Sequence, residues 1–233
     1  TPRACSLVAP RPPPRPRHPR GSGAPARARW RGQAWGARRP PPGAPASQTP
    51  RQPVARLDAL SDWDTTGNWK VDNEGAFVLT PRPGETNWKR YGDYLWTKQP
   101  YRDFAIAFEY KHEAGGNSGL YFNVTDPLNA VGSVIEVQIR DSAGEEELHH
   151  HDTSGGILPG VTPKANTAKP AGEWNTMNVT SLDGVVTVTL NGVLVNQVKL
   201  TEGRLKNKPK QGYVGFQDHG IPFWLRNVRL REL

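Results

Sequence analysis

Apolar and polar residues alternate along several segments of this chain, and this period of two constrains the fold more than any other feature. In the segment DFAIAFEYK at 103–111, four aromatic or aliphatic side chains fall on one face, and in VIEVQIRD at 134–141 Ile135, Val137 and Ile139 do the same. Successive side chains of a β-strand point to opposite faces of its sheet, so the pattern predicts half-buried strands. No stretch of useful length has the 3.6-residue period of an amphipathic helix.

Turn signals between these segments indicate that the strands are antiparallel. In GVVTVTLNGVLVNQV at 184–198, two β-branched runs flank Asn191 and Gly192, a dipeptide that readily takes the positive φ angles of a tight hairpin. Many short strands joined by Gly, Pro and Asn turns, without helices, predict an all-β protein built as an antiparallel sandwich or jelly roll.

The basic charge belongs to the first part of the chain. The whole sequence carries a formal net charge of +8, yet residues 1–55 contain 11 Arg and 14 Pro and no Lys, Asp or Glu. Residues 56–233 hold 19 basic and 22 acidic side chains, a net charge of −3. The composition predicts a disordered leader at 1–55 and one folded domain at 56–233. A mildly acidic domain gives no electrostatic reason to expect a nucleic acid partner.

The sequence shows no segment of the length and hydropathy needed for export or membrane insertion. The stretch CSLVA at 5–9 is too short for the apolar region of a signal peptide, and no run of about 18 apolar residues exists. The single cysteine is Cys5, so residues 56–233 contain no disulfide. These features fit a cytosolic protein, or a periplasmic protein that is stable without disulfides.

Polar side chains occupy the strand faces that point away from the predicted core. Glu136 and Gln138 lie two apart on one strand, so they project from the same face about 6.5–7 Å apart, and Gln217 lies on a later strand. Carboxylate and amide groups on a sheet face are expected of a polar ligand site, for which sugars are natural ligands. The alternative is a solvated outer face.

The strand NSGLYFN at 117–123 begins with Asn117 and contains a glycine. Gly119 inside a strand indicates either the close approach of a ligand or backbone, or a bulge.

Histidines are concentrated in the segment EEELHHHD at 145–152. We expect His149 and His150 to be solvated, whereas His151 and Asp152 precede a Gly pair that allows the loop to fold back onto the sheet. Histidine is a natural general acid or base near neutral pH, so His151 is a candidate for the site.

Four further candidates lie in loops or on the last strand. Asp218 and His219 follow a strand end, where binding groups tend to lie. Lys169, held extended by Pro170, is either a substrate donor or a loop cation. Arg226 would pair with Asp218 or with a ligand hydroxyl.

Several familiar chemistries are excluded by missing motifs. The chain has no GxSxG, Walker, HExxH or Cys-based metal motif, and no GxGxxG after a strand. Glu136 is followed by Gln138 and not by a second carboxylate, which argues against retaining hydrolysis by two carboxylates on one strand.

A set of motifs in fixed order resembles the 3-keto-disaccharide hydrolase domain family, formerly a domain of unknown function, over about residues 60–233. The motifs are GNSGLYF (116–122), IEVQIRD (135–141), HDTSGGI (151–157), NTAKPAGEWN (166–175), LNG (190–192) and GFQDHGIPFWLRNVRLREL (215–233). The family is common in planctomycetes and Bacteroidetes, so the resemblance implies a bacterial protein. It also implies a concanavalin-like β-sandwich jelly roll and a hydrolase that cleaves glycosides already oxidised to a ketone at C3.

The resemblance implies an elimination mechanism. The ketone acidifies the C2 hydrogen, a base removes it, the aglycone leaves from C1, and water then adds. We expect the base to be Glu136 or His151, with Lys169 and Gln138 stabilising the enolate. His219 would be the acid or a sugar ligand.

The remaining expectations concern binding, cofactor, alternative function and location. Gln217 and Asn117 would position hydroxyls, with Asp152, Asp218 and Arg226 as further substrate-binding residues. A divalent metal could replace Lys169 as a Lewis acid on the ketone, although no residue pattern demands one. The alternative function is a non-catalytic, lectin-like carbohydrate-binding module. Relatives are often periplasmic or surface-exposed, which predicts a periplasmic or extracellular location.

Overall fold

A computed structural model describes residues 53–233, which are built almost entirely from β-strands. The predicted disordered leader, up to residue 52, lies outside the described residues. In chain order the strands are β1 (Ala55–Arg56), β2 (Trp63–Asp64), β3 (Trp69–Val71), β4 (Phe77–Leu79), β5 (Leu95–Thr97), β6 (Phe104–His112), β7 (Asn117–Val124), β8 (Ile135–Arg140), β9 (Ile157–Leu158), β10 (Asn175–Leu182), β11 (Val185–Leu190), β12 (Val193–Lys199), β13 (Tyr213–Phe216) and β14 (Phe223–Glu232).

Short 3-10 turns are the only helical elements among these residues. They span Leu60–Asp62, Tyr91–Asp93, Ala130–Gly132 and Gly203–Leu205. None of the described helices is long and apolar enough to cross a membrane.

The strands form two antiparallel sheets. The larger sheet has the spatial order β12-β11-β10-β6-β14-β4-β3, with β1 paired to β14, and the smaller sheet has the order β2-β5-β13-β7-β8-β9. The predicted hairpin is present: β11 and β12 flank Asn191 and Gly192, whose φ angles are 51° and 82°. The prediction of an all-β antiparallel sandwich is confirmed.

The main core lies between the two sheets and follows the alternation seen in the sequence. Every second side chain of β6, beginning with Phe104, is buried against the smaller sheet, and Ile135, Val137 and Ile139 of β8 are fully buried from the other side. Because these three side chains point inward, Glu136 and Gln138 must point to the outer face of the smaller sheet. The sheet alternation therefore positions the polar groups on one exposed surface of the sandwich.

Candidate active site

A cavity of about 360 Å³ lies on the outer face of the smaller sheet. It brings together seven of the ten residues predicted from sequence, with four others. Its lining residues are Trp88, Asn117, Tyr121, Glu136, Gln138, Arg140, His151, Asp152, Leu158, Gln217 and His219.

The carboxyl group of Glu136 is held in place by the neighbouring strand. Glu136 pairs with Tyr121 across β7 and β8, and Gly119 is the next β7 residue on the same face. A β-carbon at position 119 would overlap the carboxyl group of Glu136. Gly119 therefore leaves room for this side chain, and the group that approaches the glycine is the Glu136 side chain and not the ligand or backbone that was expected.

The electrostatics of Glu136 are those of a carboxyl group removed from water. Burial raises the pKa of Glu136 to about 8, while a hydrogen bond with the Tyr121 hydroxyl acts to lower it. No basic side chain of residues 53–233 forms a salt bridge with this carboxyl group. Glu136 can consequently exchange a proton near neutral pH.

Gln217 is fixed beside Glu136 by one hydrogen bond from its backbone and one from its side-chain amide nitrogen. Its backbone N–H donates to the carbonyl of Gly119 at 2.9 Å, and Nε2 donates to the Tyr121 hydroxyl at 2.8 Å. The Oε1 atom is buried and has no hydrogen-bond partner among the described residues. A buried acceptor in this state is costly unless a bound ligand donates to it.

A layer of buried aromatic rings supports this end of the cavity. Tyr94 and Trp96 stack with ring centroids 5.5 Å apart, and Tyr121 meets Tyr94 edge-on at 5.3 Å. Gly215 pairs with both Trp96 and Tyr121, and a β-carbon on it would overlap the indole of Trp96. The layer makes a stiff support on which the Tyr121 hydroxyl is positioned.

The histidine loop folds back onto β8, as expected from its Gly pair. The Gln138 side chain donates to the backbone carbonyl of His151, and its backbone exchanges hydrogen bonds with Gly155 and Gly156 at 2.8 Å each. The fully buried Ser154 hydroxyl accepts a hydrogen bond from the Arg140 N–H and donates one to the Arg140 carbonyl. Gln138 is thus a positioning residue for the loop.

The rim of the cavity carries charged and imidazole groups. Arg140 Nε lies 3.6 Å from Asp152 Oδ1, and both side chains are substantially exposed. His151 is exposed on the rim, whereas His219 is half-buried, and burial lowers the pKa of His219 below its usual range. Among residues 53–233, no group of three or more His, Cys, Asp or Glu side chains is arranged to hold a metal ion.

Asp218 lies beside the cavity and binds a neighbouring loop. Its side chain is fully buried, and Oδ1 accepts hydrogen bonds from Arg90 Nη2 at 2.8 Å and from the Gly220 N–H at 2.7 Å. Burial raises the pKa of Asp218, although the hydrogen bond from Gly220 and the charge of Arg90 oppose this. Arg90 also contacts Asp93 at 2.7 Å, so Asp218 fixes the segment that carries Trp88.

Lys169 and Arg226 are not brought to this cavity. Arg226 follows the core residue Leu225 and points to the outer face of the larger sheet, where it pairs with Glu109 at 2.8 Å and stacks 3.9 Å from the Trp174 ring. Lys169 Nζ donates to the Trp174 carbonyl at 2.9 Å. The expected pairing of Arg226 with Asp218 is absent, because Asp218 is bound by Arg90 on the other side of the sandwich.

Four lining residues were not among the sequence candidates. Arg140 and Tyr121 share the face of Glu136 by simple alternation, so the period of two would have found them. Leu158 and Trp88 come from segments whose approach depends on tertiary contacts, and the sequence carries no such signal for them.

The fold and cavity define a class, the antiparallel β-sandwiches with a polar ligand site on one open sheet face. A family model described as the 3-keto-alpha-glucoside-1,2-lyase-like domain matches residues 57–231. The chain therefore belongs to this family, as its motifs predicted.

Known proteins similar to this chain support the same placement. A curated 3-keto-disaccharide hydrolase of Bacteroides thetaiotaomicron is 23% identical over an aligned length of 181 residues, and the match covers 61% of this chain and 62% of that protein. The chain thus matches less than two thirds of the length of this relative.

Solved structures show the sandwich fold. Two Parabacteroides distasonis proteins provisionally described as glycosyl hydrolases have TM-scores of 0.66 and 0.63, with 21% and 23% identity. The alignments cover 78% of this chain and 100% of the first structure, and 77% and 94% for the second. Peanut lectin, solved with a nine-residue peptide, has a TM-score of 0.50 at 12% identity, over 77% of this chain and 96% of the lectin.

Proposed function

We propose that this protein cleaves glycosides of 3-keto sugars by elimination and rehydration, with Glu136 as the base. The observation that carries the proposal is the buried carboxyl group of Glu136, whose pKa is raised to about 8 at the floor of a polar cavity. A base of this strength is suited to removing a hydrogen that a neighbouring ketone has acidified. The family description, which names a 1,2-lyase, supports elimination across C1 and C2.

The proposed reaction has three steps, which are proton abstraction, elimination and hydration. Glu136 takes the C2 proton, and the C2–H electron pair forms the C2=C3 enolate. The C1–O bond then breaks as the C1=C2 double bond forms and the C3 ketone returns, and the leaving oxygen takes a proton. Water adds its hydroxyl to C1 and a proton to C2, so the net reaction is hydrolysis.

The donor for the enolate oxygen is reassigned in this proposal. Lys169 lies in the loop before β10, where its Nζ donates to the Trp174 carbonyl, and the Gln138 amide already donates to the His151 carbonyl. Arg140 and Asn117 line the cavity next to Glu136 and carry donors that can face the C3 oxygen.

The other polar groups take supporting roles. His151 on the rim is placed as the acid for the leaving oxygen. His219, whose pKa is lowered by burial, is neutral over most of the neutral range and suits a sugar hydroxyl better. The unpartnered Oε1 of Gln217 would accept from a further hydroxyl, and Asp152 would bind substrate at the rim. A periplasmic or extracellular location remains part of the proposal.

The test is aglycone release by the full chain from 4-nitrophenyl 3-keto-glucosides, of both anomers, and from their unoxidised parents. We expect release from a keto glycoside only, with deuterium from D₂O incorporated at C2. Glu136→Gln should lower kcat/KM by at least ~100-fold, the lower end of general-base contributions. Glu74→Gln, at an exposed site in the turn between β3 and β4 with no side-chain partner among the described residues, is the matched control.

The outcomes separate the competing readings. Unchanged activity in Glu136→Gln would remove Glu136 as the base. Binding of unoxidised glycans without release from any keto glycoside would support the alternative, a non-catalytic carbohydrate-binding module. A parallel assay with EDTA tests separately whether a divalent metal takes the place of the donors to the enolate oxygen, the alternative that the sequence left open.

A further inference from the structure

A second cavity lies on the outer face of the smaller sheet. Its volume is about 440 Å³, and its lining includes Asp64, Trp96, Leu128 and Tyr213. This volume falls within the range of small-molecule sites.

One cross-strand row joins the second cavity to the first. Asp64 pairs with Trp96, Trp96 with Gly215, Gly215 with Tyr121, Tyr121 with Glu136, and Glu136 with Leu158. Neighbouring strands are about 4.8 Å apart, so Asp64 and Glu136 are separated by about 19 Å along the row. A row of this length suits a short oligosaccharide better than a disaccharide.

The aromatic layer stands between the two cavities. Trp96 lines the second cavity and Tyr121 lines the first, and their ring centroids are 6.3 Å apart. One loop segment also reaches both, since Trp88 lines the first cavity and Gly92 the second. The two cavities therefore flank a single rigid partition.

Two polar groups that line the second cavity are free to bind. Among residues 53–233, the Asp64 carboxylate and the Tyr213 hydroxyl have no hydrogen-bond or ion-pair partner. Leu128 is 74% exposed, so its apolar side chain is not used by the core. A carboxylate and a phenol can bind sugar hydroxyls, while leucine can contact the C–H face of a sugar ring.

We propose that the second cavity is a remote saccharide subsite, which binds the distal units of an oligosaccharide whose 3-keto unit lies at Glu136. This inference rests on the proposed function and specifies its substrate class as 3-keto-oligosaccharides with an aglycone of several sugar units. The aglycone passes over the segment 88–92, which packs against the buried rings of the partition, and Asp64 receives hydroxyls of the distal unit.

The experiment compares 3-keto derivatives of cellobiose and cellopentaose, and of maltose and maltopentaose, with the full chain. In one of the two series, kcat/KM for the pentasaccharide should exceed that for the disaccharide by about tenfold, equivalent to about 1.4 kcal/mol of binding. Asp64→Ala and Leu128→Ser should remove this difference by raising KM for the longer substrate. Their kcat/KM for the disaccharide should stay within about twofold of the unaltered protein, as should all values for the control Glu74→Ala.

Failure of this inference is distinguishable from failure of the proposed function. Turnover of the disaccharides without a length effect, or a length effect that survives both substitutions, overturns the subsite and leaves the elimination activity in place. Absence of turnover on every keto sugar overturns the elimination activity, and the subsite with it.

Discussion

Glu136 combines burial with a position at the floor of the cavity, and its ionisation should govern the pH dependence of the reaction. The proposed base must be ionised to act, and its pKa is raised to about 8. We expect kcat/KM on a 3-keto-glucoside to rise about tenfold per pH unit below pH 8 and to level off above it. A profile that falls through the same range would identify Glu136 as an acid instead.

The same carboxyl group should cost stability as pH rises. The folded pKa of about 8 lies above the usual 4.5, so between these values the folded protein keeps a proton that the unfolded chain releases. The stabilising contribution is complete below pH 4.5 and is lost as pH approaches 8, by at most ~1.4 kcal/mol per pH unit. As pH rises from 5 to 8, the free energy of unfolding of Glu136→Gln should therefore increase relative to that of the unaltered protein, as measured by urea unfolding. A constant difference across this range would contradict the raised pKa.

At the residue scale, the sequence predicted which side chains lie on the polar face, but not which contacts each of them makes. Alternation alone placed Glu136 and Gln138 on one face, which the register of β8 bears out. The use of the Gln138 amide to hold the His151 loop depends on where a distant segment folds, and no local pattern encodes it.

At the scale of elements, the pairing of β7 with β8 fixes the position of the proposed base, because Gly119 has no side chain. Gly119→Ala would place a β-carbon where the Glu136 carboxyl lies, and the flexible end of Glu136 would move. We expect kcat/KM to fall by ~10- to 100-fold, since small displacements of a reacting group are costly. The control is Gly132→Ala, where a β-carbon meets no atom within 4 Å. Full activity in Gly119→Ala would show that the observed carboxyl position is not the reactive one.

The segment before β5 depends on a buried ion pair. Removing Arg90 leaves the fully buried carboxyl of Asp218 without its cation, so Arg90→Ala should lower the free energy of unfolding by about 3–5 kcal/mol. Arg82 is more than half exposed and pairs with Glu85, and Arg82→Ala should cost less than about 1 kcal/mol. Urea unfolding of both variants tests the contrast, and equal effects would argue against a specific role for Asp218.

Elements with a strong local signal were predicted, and those set by long-range contacts were not. The Asn191-Gly192 hairpin has its own turn chemistry and was found from sequence. Strand β5, by contrast, begins only at Leu95, because Tyr91–Asp93 forms a 3-10 turn held by Arg90 and Asp218. A contact that joins positions 90 and 218 leaves no periodic trace in either segment.

At the scale of the whole molecule, the proposed site lies on the smaller sheet, and the outer face of the larger sheet takes no part in it. Arg226→Ala removes the Glu109 ion pair and the stacking on Trp174 but touches only the outer face of the larger sheet. It should cost about 1–2 kcal/mol of stability and leave kcat/KM within about twofold. Arg140→Ala, on the cavity rim, should lower kcat/KM by at least ~10-fold. A tenfold loss of activity in Arg226→Ala would return Arg226 to the substrate site.

The sequence could not assign these two arginines to their sheets. Both lie on strands with clear alternation, so which face each side chain takes was predictable, but strand order was not. Membership of β8 in the smaller sheet and of β14 in the larger one is decided by pairing between distant segments.

The contact between Gly119 and Glu136 also has an evolutionary consequence. A chain with any β-carbon at position 119 cannot keep a glutamate at 136 in this pose, so the effect of changing one position depends on the other. The two positions form an epistatic pair, and a lineage can acquire the glutamate in this pose only after the glycine is in place. Once the glutamate has been lost, the glycine is free to drift, and we expect the two positions to change together among relatives that have abandoned the chemistry.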